Sequence, residues 1–385
     1  MKILVVNFGS SSLKYQLFDF SGGAARQAAK GSIEKIGTPG ARAGNHIEAA
    51  GQAFQELKRS GALDSADQID GIGHRVVHGG ERFTASVRID DAVVREIEAC
   101  AELAPLHNPH NLTGYRAMCK LAPKAPHVAV FDTAFHTTLP PHAYVYGLPY
   151  EYYERDRIRR YGFHGTSHRY IAQRVHALAP GAKRIVSCHL GNGCSVCAIE
   201  SGRSIDTSLG FTPLEGLLMG TRTGDIDASA VLHVMKLHGM DVSRAAVLLN
   251  SESGLFGVSG VSNDMRDLQK AAREGAMRAA LAIDIFCYRV RKYIGAYMAA
   301  MNGANAIVFT AGIGENSPEV RAQICGSLEN LGLHLDHELN ARARGECRIS
   351  VPGTPVEVWM IPTNEELLIA QDTRDCILRG EHGRV

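Results

Sequence analysis

No uncharged apolar stretch in the sequence approaches the roughly 20 residues that a membrane-spanning helix needs, and the start, Met1-Lys2-Ile3-Leu4-Val5-Val6-Asn7, lacks the apolar core of a signal peptide. A cytoplasmic protein with no membrane partner is expected. Neither sign of charge is in excess: 41 Lys and Arg stand against 40 Asp and Glu, without the basic run that a phosphate-backbone binder carries, so nucleic acid is not an expected partner. Cysteine is odd in number and scattered; nine copies from Cys100 to Cys376 fit reduced thiols rather than a disulfide framework. The one local cluster, Cys188, His189, Cys194 and Cys197, makes a poor zinc site, because Cys194 and Cys197 fall in an alternating stretch where positions three apart face opposite sides of a strand. They read as small buried hydrophobes. Also missing are a Gly-Lys-Ser/Thr opening a helix, a dinucleotide fingerprint and any sign of a Ser/His/Asp triad.

What is present is a folded chain of ordinary polarity, 45% apolar and 21% charged, whose 385 residues favour two domains. Its 40 Gly imply many tight turns or close backbone approaches to a ligand. Lys2 to Phe20 reads as a β-hairpin whose tip, Asn7-Phe8-Gly9-Ser10-Ser11-Ser12, is made mostly of small residues. Arg184 to Gly202 repeats the plan, with Asn7 matching His189 and Gly9 matching Gly191; Val128 to Phe131 and Ile307 to Phe309 echo each other at nearly the same offset. A duplicated α/β domain is expected. Helical spacing marks Val93 to Ala101, Tyr170 to Leu178 and Met277 towards Met301, and Gly37 to Ala50 reads as a surface excursion. The last helix opens with Thr363 and Glu366 as a capping box and runs to about Leu378. Pro punctuates the chain at Leu139-Pro140-Pro141, where a domain boundary is expected.

Two small-residue hairpin tips in matched positions suit a phosphate clamp, because backbone N–H groups approach phosphate oxygens closely where no bulky side chain intervenes. Ser hydroxyls and Lys14 add donors and charge. Arg75, Arg222 and Arg266 sit among Gly and turn-forming residues, where a guanidinium has room to fork onto carboxylate or phosphate. Among 17 His, those in loop-like Gly/Pro settings are His107, His136, His164 and His168, and His164 is preferred for chemistry. Asp132 ends an apolar strand and Glu365 lies in a first helical turn; each has a purely structural alternative, as a turn cap and as a favourable charge on the helix dipole. Phosphate loops, arginines and one or two carboxylates suited to Mg2+ indicate phosphoryl transfer or nucleotide hydrolysis.

At these residues the chain resembles the family of acetate and propionate kinases within the actin, sugar kinase and Hsp70-like superfamily. The matching stretches run in order from Asn7 to Lys14 (NFGSSSLK), through Gly73 to Glu81 (GHRVVHGGE), Ala104 to Asn111 (APLHNPHN), Phe131 to His136 (FDTAFH), Tyr161 to His168 (YGFHGTSH), His189 to Gly193 (HLGNG), Gly210 to Asp227 (GFTPLEGLLMGTRTGDID), Ser262 to Asp267 (SNDMRD) and Phe309 to Ser317 (FTAGIGENS), to Pro362 to Glu366 (PTNEE). The resemblance implies an α/β fold of two duplicated ribonuclease-H-like domains with a cleft between them, the first taking residues 1–139 plus a C-terminal helix from about 368 to 385 and the second 140–367, and a homodimer. It also implies a reversible, Mg2+-dependent kinase, with Mn2+ as a substitute, that passes a phosphoryl group from ATP to acetate and yields ADP. A propionate kinase, or a chaperone-like ATPase of the superfamily, is the alternative.

Roles are implied by motif. Arg75, Asp132, His164 and Arg222 would be catalytic; Arg75, Val77, Leu106, His107, Phe163 and Pro213 would bind the carboxylate. Nucleotide and phosphate would be held by Ser10, Ser12, Lys14, His189, Leu190, Gly191, Asn192, Gly193, Asp264, Met265, Arg266, Gly312, Ile313, Gly314, Glu315 and Asn316, and metal by Asn7 and Glu365. Departures from the family pattern are Phe8 at a usually small position, Cys194 and Cys197 after the second hairpin, Ala228 where Pro is common, and a short segment around Gly37 to Ala50.

Overall fold

The structure, a computed structural model, describes residues 1–103 and 107–380; Leu106 lies outside the described residues. The chain divides into two compact units, one formed by Met1–Thr137 and the chain from Asn364 onward, the other by Thr138–Thr363. Among the described residues no helix is long and apolar enough to cross a membrane.

Unit 1 is built on a six-stranded sheet of β1 (Lys2–Phe8), β2 (Ser12–Asp19), β3 (Arg26–Glu34), β4 (Gly71–Val76), β5 (Val87–Arg88) and β6 (His127–Phe131), in the order β3-β2-β1-β4-β6-β5. β1, β4 and β6 run parallel, while β2, β3 and β5 pair antiparallel with their neighbours. Unit 2 carries β7 (Arg184–Leu190), β8 (Cys194–Glu200), β9 (Arg203–Thr207), β10 (Ala306–Thr310), β11 (Cys347–Arg348) and β12 (Glu357–Met360) in the order β11-β12-β10-β7-β8-β9. Reversed, that is the order of the first sheet with each strand replaced by its counterpart in sequence, and the parallel and antiparallel pairings correspond. The fold is α/β, two duplicated ribonuclease-H-like domains.

The topology corrects one detail of the duplication. Val128–Phe131 lies in β6, whose counterpart is β12; Ile307–Phe309 lies in β10, which sits beside β7 as β4 sits beside β1. The parallel strands β6, β10 and β12 all read as short, largely apolar runs, so pattern alone cannot tell one from the next. β4 moreover carries glycines where a side chain would not fit: a Cβ at Gly71 would lie 2.3 Å from Ile377 Cδ1, and one at Gly73 2.3 Å from Thr373 Oγ1.

Those contacts come from the last helix, Glu365–Arg379, which packs Ile369 and Ala370 into a core cluster with strands of unit 1. Alternation along β1 supplies both sides of the sheet: Ile3 and Val5 join the cluster under that helix, while Leu4 and Val6 join the cluster formed with helices His46–Arg59 and Asn108–Leu121. The cap of the last helix differs from the expected box. Asn364 is the N-cap and its side chain accepts from the Leu367 N–H, whereas Thr363 Oγ1 is engaged with Ser167 Oγ at 2.9 Å.

Gly37 to Ala50 is only partly a surface excursion. From His46 it is helix, started by Asn45, whose Oδ1 accepts from the Glu48 N–H while Glu48 reaches back to the Gly44 N–H and the Asn45 amide, and Ala49 and Ala50 are fully buried. An Asn-x-x-Glu signature was in the sequence. Phe8 is buried as well, accommodated by Gly114, where a Cβ would stand 2.2 Å from the Phe8 ring. Cys194 and Cys197 are fully buried on β8, and burial pushes both thiols above their ordinary range.

Unit 1 also encloses a neutral histidine pair, His74 Nε2 to His127 Nδ1 at 2.8 Å. One nitrogen donates and the other accepts, so full protonation would set two donors against each other. Burial, and for His74 the neighbouring imidazole, hold both groups below their ordinary value, His127 at about 4. Below about pH 6.5 the unfolded chain takes up protons that the native pair refuses, so stability is full above that pH and falls as pH drops towards the native values, by up to roughly 1.4 kcal/mol per pH unit per histidine. Urea titrations at pH 7 and pH 5 are expected to show a lower unfolding free energy at pH 5; equal values would rule out the buried neutral pair.

Candidate active site

In unit 1 the first hairpin closes tightly, with the Gly9 N–H donating to the Ser12 carbonyl at 2.8 Å, and leaves Ser10 and Ser11 exposed at its tip. Asn7 and Lys14 face each other across β1 and β2, Lys14 exposed and Asn7 half-buried. Arg75 leaves the end of β4 next to Asp132, the first residue after β6, because those strands are parallel neighbours paired at Val76 and Phe131. The contact is bidentate: Arg75 Nη2 donates to Asp132 Oδ2 at 2.6 Å and Nε to Oδ1 at 3.2 Å. Glu365 Oε2 lies 3.9 Å from Arg75 Nε. Burial opposes the Arg75 charge, but Asp132, Glu365 and Glu366 together hold its pKa above the ordinary value. Burial also keeps the Glu366 carboxyl above its usual range, against the pull of Arg75 and Lys14.

Val77 is buried just beyond β4 with its N–H donating to Asn111 Oδ1 at 3.1 Å, and Asn111 Nδ2 donates to the Phe8 carbonyl at 2.9 Å. Asn111 thereby ties the end of β4 to the first hairpin. It stood inside a matching stretch without an assigned role, because a buried amide that links two backbones has no signature of its own. His107 is half-buried at the start of helix Asn108–Leu121.

In unit 2, His164 adopts a left-handed backbone, φ 57°, where the chain enters helix Gly165–Leu178. Its Nδ1 lies 2.9 Å from Ser195 Oγ, and its ring stacks on His189 at 4.2 Å between centroids. Ser195 Oγ also meets His168 Nε2 at 2.8 Å, and His189 Nδ1 meets Ser167 Oγ at 2.8 Å. The sequence singled out His164, His168 and His189; of the serines that fix their rings, Ser167 lies inside the matching stretch Tyr161 to His168 without an assigned role, and Ser195 lies outside the matching stretches.

Arg222 reaches the same place. A Cβ on Gly193 would lie 3.6 Å from both Arg222 Nη1 and the His164 ring, so hairpin tip, imidazole and guanidinium converge on one another. The Arg222 loop fits only against glycine at 254: φ there is +66°, and a Cβ would stand 2.2 Å from the Met219 carbonyl oxygen and 2.8 Å from the Arg222 nitrogen. Arg222 Nη1 donates to the Pro213 carbonyl at 3.2 Å, and among the described residues no carboxylate pairs with it. Burial pulls its pKa down. Phe163 is buried beside His164, and Pro213 is half-buried.

A pocket of about 530 Å³ in unit 2 is lined by Gly191, Asn192, Asp264, Met265, Arg266, Gly312, Ile313 and Asn316, joined by Asn263, Gln269 and Ser317. Asn263 and Ser317 lie inside matching stretches, whereas Gln269, which donates to Ser317 Oγ at 2.9 Å, had no signal. Leu190 is core, Gly314 is buried, and Glu315 Oε1 accepts from the Thr363 N–H at 3.1 Å; none of them lines the pocket. Asp264 caps helix Met265–Arg273 and pairs with the exposed Arg266 at 2.6 Å.

The donor chemistry of unit 1 suits a hard divalent cation. Asp132, Glu365 and Glu366 outnumber the cations Arg75 and Lys14 within reach of them, and every candidate donor, including the Asn7 amide, is oxygen. Among the described residues no group of three or more His, Cys, Asp or Glu is assembled to hold a metal ion.

Known proteins resemble this chain along its whole length. An acetate kinase of Desulfitobacterium hafniense is 51% identical over 99% of this chain and 100% of its own length. The crystal structure of Porphyromonas gingivalis acetate kinase superposes with a TM-score of 0.93 at 42% identity, covering 98% of this chain and 99% of that one. A propionate kinase from Francisella tularensis superposes at 0.91 with 40% identity, covering 97% and 99%. Residues 2–371 match the acetokinase family, and with identity of this order along the whole length the chain belongs to that family.

Proposed function

We propose how this chain carries out the reaction of its family, the ATP-dependent phosphorylation of acetate with a divalent metal. The observation that supports the assignment of roles best is Arg222, a partly desolvated guanidinium with no carboxylate counterion among the described residues, beside a phosphate-type hairpin tip and His164. Such a group is prepared for an anion. Acetate is already a deprotonated nucleophile, so no general base is needed: one oxygen forms its bond to the γ-phosphorus as the bond to the ADP oxygen breaks, and no proton moves. Arg222 and His164 stabilise the oxygens of the transferring phosphoryl group. Arg75, oriented by Asp132, holds the carboxylate, and the buried Val77 just beyond β4 offers an apolar contact to its methyl end.

The pocket of about 530 Å³ is of a size for an adenosine moiety, with Gly191 and Asn192 next to the phosphates. Ser10, Ser12 and Lys14 supply further phosphate contacts. The metal is Mg2+, with Mn2+ as a substitute; Asn7 and Glu365 would hold it and it would neutralise charge on the phosphate oxygens. The enzyme works in the cytoplasm as a homodimer through the unit 2 helices, where Leu232, Leu237, Val242 and Met277 are exposed, and sedimentation at assay concentration is expected to give twice the chain mass.

Trapping of the acyl phosphate with hydroxylamine tests the reading. We expect kcat/KM to fall in the order acetate, propionate, butyrate, with ATP preferred to pyrophosphate. Each methylene in an apolar pocket is worth about 1 to 3 kcal/mol, or 10- to 200-fold, so propionate stays usable. Propionate equal to acetate would move the substrate to propionate; ATP hydrolysis indifferent to any short acid would remove the kinase assignment.

A further inference from the structure

His46 is half-buried, and its ring Nε2 lies 2.8 Å from the carbonyl oxygen of Gly9, inside the tip of the first hairpin. A carbonyl only accepts, so Nε2 carries the proton and donates. The ring is held by packing: it stacks on His110 at 5.6 Å between centroids and leans on the buried Phe8 at 5.9 Å. The start of its helix is fixed by the Asn45 and Glu48 cap, so the backbone position of His46 is set independently of the hairpin.

This bond lies within a pattern. Three carbonyls around the tip are each drawn to a donor from elsewhere in unit 1: Phe8 to Asn111 Nδ2 at 2.9 Å, Gly9 to His46 and Ser11 to the Ile36 N–H at 2.9 Å. A peptide unit is planar, with its C=O and N–H pointing in opposite directions, so anchoring the Gly9 carbonyl fixes the direction of the Ser10 N–H. Among the described residues nothing accepts from the Ser10 N–H or the Ser11 N–H. Successive N–H groups left without a protein acceptor form an anion-binding concavity.

We propose that His46 is a positioning residue for phosphate binding: by holding the Gly9 carbonyl it aims the Ser10 N–H at a phosphate oxygen of the nucleotide. The assignment rests on reading the first hairpin as a phosphate site. His46 itself touches no substrate and acts only through the Gly9 peptide. Phe8 belongs to the device, since its ring supports His46 from the hairpin side and Gly114 leaves space for it.

The test compares His46→Gln, His46→Asn and His46→Leu. A glutamine amide places an N–H donor near the position of Nε2, while asparagine mimics Nδ1 and falls short. One hydrogen bond of ordinary net strength corresponds to roughly a three- to tenfold effect. The expected result is a loss of that size in kcat/KM for ATP in the Asn and Leu variants, recovery to within about twofold in the Gln variant, an unchanged KM for acetate, and the same melting temperature in the Asn and Gln variants. Gln behaving like Leu, wild-type ATP kinetics in Leu, or parallel losses for ATP and acetate would each overturn the proposal. Lys14→Ala separates this from the underlying reading: ATP kinetics unaffected by Lys14→Ala would remove the phosphate site itself, whereas sensitivity to Lys14→Ala with indifference to every His46 variant would remove only the role of His46.

Discussion

Arg222→Ala is expected to lower kcat by about 10² to 10³, the roughly 2.7 to 4 kcal/mol that one preorganised charge donor supplies to a transition state, while the melting temperature stays unchanged or rises. Activity and stability part company because of what surrounds the guanidinium. It donates to the Pro213 carbonyl and approaches Met219 Sδ at 3.8 Å, but no carboxylate among the described residues balances its charge. A partly desolvated charge without a counterion costs folding free energy, so its removal returns some of that cost and leaves no buried anion behind. Arg222→Lys keeps a point charge but loses the planar fork, and should recover only part of the rate. Steady-state kinetics with thermal melts of the same preparations check this. A marked drop in melting temperature with near-normal turnover in the surviving protein would make Arg222 structural.

Arg75→Ala should behave differently, losing turnover by a similar factor and destabilising unit 1 by about 3 kcal/mol or more. Its partner Asp132 has a side chain only 2% exposed, and Arg75 itself is 21% exposed, so deleting the cation takes the bidentate guanidinium away from a buried carboxylate. The nearby Glu365 and Glu366 make that worse by adding like charge. The double variant Arg75→Met/Asp132→Leu removes the buried carboxylate together with its cation, and is expected to regain most of the stability without regaining activity. Recovery of both would show the pair to be a structural ion pair alone; recovery of neither would place the damage in packing.

Much of this was legible because the chemistry sits in short contiguous stretches. NFGSSSLK and HLGNG are each one hairpin tip, and a tip is dictated by local turn chemistry. The duplicated hairpin therefore declared itself, and so did Asp132 at the end of β6. Interior strands did not: β6 was matched to β10 rather than β12, because buried parallel strands share one composition and β4 had given up side chains to the last helix. Caps shifted where a side chain had a second use, as when Thr363 turned to Ser167 and Asn364 took the N-cap.

The sequence by itself determined the two hairpin tips, the candidate cations and carboxylates, and the family, since each depends on residues close together in the chain or on the order of motifs along it. Tertiary structure alone decided that Arg75 is paired with a carboxylate while, among the described residues, Arg222 is not, that Ser195 serves both His164 and His168, that Gln269 lines the pocket, and that His46 holds the Gly9 carbonyl. The physical reason is common to all four. Whether a charge or a hydrogen-bonding group meets a partner is fixed by parallel strands and packed helices that bring together residues tens of positions apart, and no local pattern encodes that meeting.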